Sequence, residues 1–142
     1  MRNTAAVLCA VLAVAAAGCQ PPAPTNPEAE RLAVEAAETW LKIIDAGDFA
    51  GAWDATAPYL RTMAPKDRWV ESVESVRGVL GQTVSREPSS KQYVTGLPTA
   101  PDGEYVIVYY KSVLEHKQAA TEAVVVMKTE DGTWRVSGYN IQ

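Results

Sequence analysis

The chain has two cysteines, one histidine and one phenylalanine in 142 residues, and each scarcity excludes a class of chemistry or architecture. Cys9 and Cys19 both fall within the first twenty residues, so the remainder folds without a disulfide and takes its stability from packing. His116 has no second histidine and no carboxylate at ligand spacing, which excludes the usual zinc arrangements, and no metal or cofactor is expected. No block of Lys or Arg occurs and the formal net charge is −4, which argues against a nucleic-acid surface. The glycines are scattered at turns, with no phosphate-cradling run. Ser89-Ser90 and Ser137-Gly138 lack the surroundings of a nucleophile elbow. The apolar run from Thr4 to Ala17 is too short to span a bilayer comfortably.

That short run is informative through its flanks. Arg2 precedes it and the small-residue exit Gly18-Cys19-Gln20 follows, the pattern of a cleaved export signal. Ala16-Ala17-Gly18-Cys19 resembles the bacterial lipobox, with Ala16 standing where Leu is familiar. The resemblance implies cleavage before Cys19 and lipidation of its thiol and new amine. Two or three acyl chains anchor a protein stably where one does not. The alternative is an ordinary secretory signal with an incidental cysteine. Gln20, by resemblance to enterobacterial sorting, favours the periplasmic face of the outer membrane over the inner one. The expected organisation is a signal peptide over 1–18, a Pro-rich tether over 19–27 and a single domain over 28–142.

Within that domain the hydrophobic period changes once. Asn26 can cap a helix, Pro27 fits its first turn, and Ala33, Ala37, Trp40, Leu41 and Ile44 recur at helical spacing up to Gly47. Asp48 opens a short second helix that Pro58 interrupts, and Tyr59 to Ala64 reads as an irregular turn. Pro65 opens a third helix with Trp69, Val73, Val76 and Leu80 on one stripe and Glu71 and Glu74 on a solvated face. Strand periodicity follows. Thr83 to Glu87 and Lys91 to Thr95 are polar and edge-like, separated at Pro88. Glu104 to Val113, Thr121 to Thr129 and Trp134 to Ile141 are apolar strands with short connections, which makes an antiparallel meander. The fold class is α+β, three N-terminal helices packed on a curved antiparallel sheet.

This order is similar to the cone-shaped fold of nuclear transport factor 2 and ketosteroid isomerase. At the level of residues the chain resembles a family of short bacterial lipoproteins with a nuclear-transport-factor-2-like or cystatin-like fold. The resemblance is carried by Ala36-Ala37-Glu38-Thr39-Trp40-Leu41 with Asp45-Ala46-Gly47-Asp48, by Pro101-Asp102-Gly103-Glu104-Tyr105, and by Asp131-Gly132-Thr133-Trp134-Arg135-Val136-Ser137-Gly138-Tyr139. It covers residues 30 to 141 and implies a fold more than an activity.

Fold analogy places a ligand between the first two helices and the concave sheet face, in contact with Trp40, Trp53, Tyr93 and Tyr109. The expected role is that of a membrane-tethered periplasmic binding or interaction module, with a hydrophobic small molecule or a second copy of the chain as partner. One alternative is an enzyme of the ketosteroid-isomerase kind, which needs a carboxylate base and phenolic donors converging in a pocket. Its residues find no one-to-one match here, no catalytic residue is assigned, and no strand is expected to carry a carboxylate among its central apolar positions. The other alternative is a structural homodimer, for which the Val-rich strand Ala123-Val124-Val125-Val126-Met127 offers a face. His116, in a hairpin connection, reads as solvated.

Overall fold

The computed structural model describes residues 21–142. Residues 1–20, on which the expected signal peptide and the expected lipidation of Cys19 fall, lie outside the described residues. The first element, α1 (Pro27–Asp45), begins as its sequence dictates: the Asn26 side chain accepts the Ala29 N–H at 3.2 Å, and Glu28 and Glu30 sit in the first turn. Its inner stripe is Ala29, Ala33, Ala37, Trp40, Leu41 and Ile44. Gly47 ends it with φ +77°, a conformation in which a Cβ is disfavoured.

Asp48 caps α2 (Phe49–Asp54), accepting the Gly51 N–H at 2.9 Å. Pro58 then does more than interrupt. It opens a further helix, α3 (Pro58–Met63), across the segment expected to be irregular, because a proline at the first helical turn gives up an N–H the helix does not use. The described residues thus hold four helices, the last being α4 (Lys66–Leu80).

The inner line of α4 departs from the expected stripe. Val76 is 44% exposed, and the position facing inward is Arg77, only 7% exposed. Steps of four, four and three from Trp69 run through Val73 and Arg77 to Leu80, which turns Val76 outward.

The strands β1 (Thr83–Val94), β2 (Tyr105–Leu114), β3 (Lys117–Lys128) and β4 (Trp134–Ile141) form an open antiparallel sheet in chain order. β1 is one strand with a register shift at Pro88 and Ser90, an edge position where a missing N–H does little harm. Opposed residues share a face, and the pairs Val106 with Val126, Val108 with Val124, Tyr110 with Glu122 and Val126 with Val136 line the side packed on α1. Ile107, Tyr109, Val125 and Met127 point to the other side, half-buried and outside the core. The two-residue turn Glu115-His116 joins β2 to β3 and is exposed. No helix among the described residues is long and apolar enough to cross a membrane.

Candidate functional site

The four aromatic side chains expected to share a pocket do not converge. Trp40 is buried in the core, its Nε1–H donating to the Ala52 carbonyl at 2.8 Å and its ring set edge-on to Trp69 and Tyr139. Trp53 is half-buried beside Arg61 and Lys66, whose charges lie 5.9 and 5.5 Å from its ring centre. Tyr93 lies on the inner face opposite Val106 and donates to Glu104 at 2.9 Å. Tyr109 alternates with the inward Val108 and Tyr110, so the sheet itself separates it from Trp40. The volume between α1 and the sheet is filled by Trp40, Val106, Val108, Tyr110, Val124 and Val126.

Polar groups do converge inside the fold, at a position where the sequence led us to expect none. Glu122 of β3 continues the inward series of Val124 and Val126 and is fully buried. Arg86 of β1 reaches it with Nε at 2.9 Å and Nη2 at 3.0 Å, and reaches Asp45 at the end of α1 with Nη1 at 2.6 Å. Ser112 and Tyr139 donate their hydroxyls to Glu122 at 2.6 and 2.7 Å. Arg77 Nη2 contacts Asp45 at 3.3 Å and the Thr83 hydroxyl at 3.1 Å. A short local pattern reveals none of this, since Arg86 lies 41 residues from Asp45 and 36 from Glu122. The available signal was a glutamate in phase with an apolar inward series.

The electrostatics of the cluster fix its chemistry. Burial works to raise the pKa of Glu122, but hydrogen bonds from Arg86, Ser112 and Tyr139 outweigh it and hold the carboxyl below its ordinary value. Asp45 is likewise lowered, burial being overcome by Arg86, Thr83 and Arg77. Burial and the Glu122 charge push the Tyr139 phenol up, and burial with the Glu38 charge pushes Tyr110 up to about 12. Both carboxyls are driven away from neutrality in one direction and both phenols in the other, so these groups do not exchange protons at neutral pH. The cluster is an ionic clamp joining α1, α4 and all four strands. Two of its neighbouring atoms, Arg77 Nη1 and the Tyr110 hydroxyl, are buried without a hydrogen-bond partner.

An open cleft of about 520 Å³ lies at the other end of the sheet. Pro58, Tyr59, Pro101 and Met127 give it an apolar surface, and Asp102, Lys128, Asp131 and Arg135 add charge. One wall is the loop between β1 and β2, pinned where Tyr59 donates to the Thr99 carbonyl at 2.9 Å and Tyr105 to that of Pro101 at 2.6 Å. Both cations are engaged, Lys128 with Glu104 at 2.8 Å and Arg135 with Asp131 at 3.5 Å. Asp102 and Glu130 have no ion pair among the described residues, which leaves the cleft with surplus negative charge. No group of three metal-ligating side chains occurs among the described residues.

A family model described as a protein of unknown function (DUF4019) matches residues 36–139. No curated protein matches the chain, and no solved structure does.

Proposed function

We propose that this chain, which belongs to the family described as protein of unknown function (DUF4019), is a non-catalytic binding module held at a bacterial membrane by lipid on Cys19. One contrast carries the reading: the interior is filled and its acids and phenols are locked by their partners, while the cleft beside Tyr59 stays open. Its volume lies within the range of about 300–1,000 Å³ usual for small-molecule sites. The ligand is an amphipathic small molecule with an apolar body against Tyr59 and Met127 and a donor or positive group toward Asp102.

Anchoring rests on the residues around Cys19 and on the sharp change of character at Asn26 and Pro27, where the Pro-rich tether stops and α1 starts. The outer membrane's periplasmic face is the address that Gln20 favours. Helices gathered on one side of an antiparallel meander, in the expected order, support kinship with the cone-shaped nuclear transport factor 2 fold. The isomerase alternative loses support, since it needs a carboxyl tuned toward neutrality and both clustered carboxyls are lowered.

Mass spectrometry of the protein purified from membranes without added ligand tests both parts. The expected result is an acylated Cys19 and a co-purifying small molecule that Tyr59→Ala loses. An unmodified N-terminus overturns the anchor, and an empty cleft overturns the binding role. A second reading, a homodimer through the outer sheet face, is favoured by the half-buried Ile107, Tyr109, Val125 and Met127 outside the core. Sedimentation that shows only monomer at tens of micromolar removes it.

A further inference from the structure

The two edges of the sheet are unlike each other. β1 presents polar residues, Pro88 and two register shifts, all of which discourage another strand from pairing. β4 has no proline, and its one register shift lies at Ser137, just before the regular stretch Gly138-Tyr139-Asn140-Ile141. Thr121 and Gln142 exchange both backbone hydrogen bonds at 2.9 Å, and alternation from that pair turns the backbone N–H and C=O of Ile141 and Tyr139 away from β3. Neither residue's outward groups have a backbone partner among the described residues, whereas the nearby Val136 carbonyl accepts the Ala57 N–H at 2.8 Å.

Beside that open edge runs the outward side of α4. Val76 is 44% and Val79 73% exposed, and two clefts of about 190 and 390 Å³, which share Val76 and Ile141 as walls, lie between α4 and the β4 residues Tyr139 and Ile141 with the following Gln142. The charged side chains that line the clefts are both basic, and one of them, Arg77, also pairs with Asp45. Arg77 forms part of the wall of the smaller cleft, is nine-tenths buried and leaves Nη1 without a partner. Lys117 lines the larger and makes no ion pair among the described residues. No acidic side chain lines either cleft.

We infer that the β4 edge and α4 together receive an extended peptide with apolar side chains and a carboxylate. The peptide adds as a fifth strand against Tyr139 and Ile141, sets its apolar side chains on Val76 and Val79, and answers Arg77 and Lys117 with its carboxylate. This is strand addition, in which main-chain hydrogen bonds give affinity and side-chain pockets give selectivity. The inference does not depend on the cleft beside Tyr59 or on the anchor.

The test uses the full chain, observed by NMR. The probe is an acetylated hexapeptide of alternating valine and threonine with a free C-terminal carboxylate, beside an amidated copy, an N-methylated copy and decanoate. The free-acid peptide is expected to shift the amides of Tyr139 and Ile141 and the methyls of Val76 and Val79. The amidated copy binds more weakly, the N-methylated copy does not bind, and Val79→Glu weakens the free acid by about tenfold or more. Val79 is a solvent-facing position, so its variant folds, and Lys117→Ala gives an independent check on the charge contribution. Absence of these shifts at about 1 mM peptide overturns the inference. Equal binding of the N-methylated copy overturns it too, as do shifts confined to the surroundings of Tyr59 and Met127. Decanoate occupying the groove when the peptide does not overturns it in favour of a fatty acid.

Discussion

The Arg86 guanidinium meets the fully buried Glu122 carboxylate through two N–H groups, at 2.9 and 3.0 Å, and extends its remaining edge to Asp45. Charge so far from water persists because every lone pair that matters is answered. Glu122→Ala is expected to destabilise the protein by about 3–5 kcal/mol, because Arg86 loses one of its two carboxylate partners. Combining it with Arg86→Met is expected to cost less than the two singles together, with a coupling of about 0.5–3 kcal/mol in denaturant melts. Additive losses show that the two side chains do not act as a pair.

The same cluster sets the response to pH. Glu122 and Asp45 hold their protons less tightly folded than unfolded, so their contribution is complete above the ordinary values of 4.5 and 3.8 and fades as the pH falls through the lower folded values. Tyr110 and Tyr139 act with the opposite sign. Their phenols, raised from 10.0, contribute fully below that value and cease to do so as the pH climbs through their folded pKa. Thermal melting is expected to plateau between these limits. Glu122→Gln should shrink the acid limb, and an unchanged limb assigns the acid sensitivity to other carboxylates.

Trp40→Ala is expected to cost about 3–5 kcal/mol, since the indole is buried and touches Trp69 and Tyr139 edge-on. Trp40→Phe keeps much of the packing and leaves the Ala52 carbonyl without its 2.8 Å donor, which puts about 1–3 kcal/mol on that bond. A melting temperature within a degree of the parent's for Trp40→Ala contradicts its position on the inner face of α1.

Glycines at 47 and 81 both have positive φ, yet their alanine variants should differ. At Gly47 a Cβ meets nothing within 4 Å, so only the backbone strain of about 1–2 kcal/mol is felt. At Gly81 it falls 2.6 Å from Glu115 Oε2 and 2.8 Å from Glu115 Cβ. Displacing Glu115 also disturbs its 2.8 Å hydrogen bond from the Gln82 N–H. Chemical denaturation should rank Gly81→Ala as clearly the more damaging, and an equal loss shows that the β2–β3 turn gives way freely. His116→Ala in the same turn is expected to leave stability nearly unchanged, as its side chain is exposed.

Local rules make α1 legible in the sequence: a capping Asn26, Pro27 in the first turn, and a stripe from Ala33 to Ile44 that packs as spaced. The strands were legible for the same reason, since period-two patterning and the Asp131-Gly132 turn are near-neighbour signals. α3 was missed because a proline can end one helix or begin the next, and the deciding contact, the Ala57 N–H on the Val136 carbonyl, is distant in sequence. Arg77 was missed at the inner face of α4 because charge reads as solvent-facing until its partners Asp45 and Thr83 are known. The aromatic pocket failed for a related reason. Sheet parity separates Tyr109 from Trp40, and fold analogy carries no parity.

The polar sequence of β1 has one more consequence, for the route by which the chain reaches its fold. A strand with so few buried residues has little hydrophobic pattern to tell a correct alignment from one displaced by a single residue. Such a slip against β2 turns Arg86 to the opposite side of the sheet and leaves Glu122 with the Ser112 and Tyr139 hydroxyls and no cation. The misaligned sheet therefore carries an unpaired buried charge, and the penalty rejects it. Arg86 serves as the proofreading mark of an otherwise ambiguous strand.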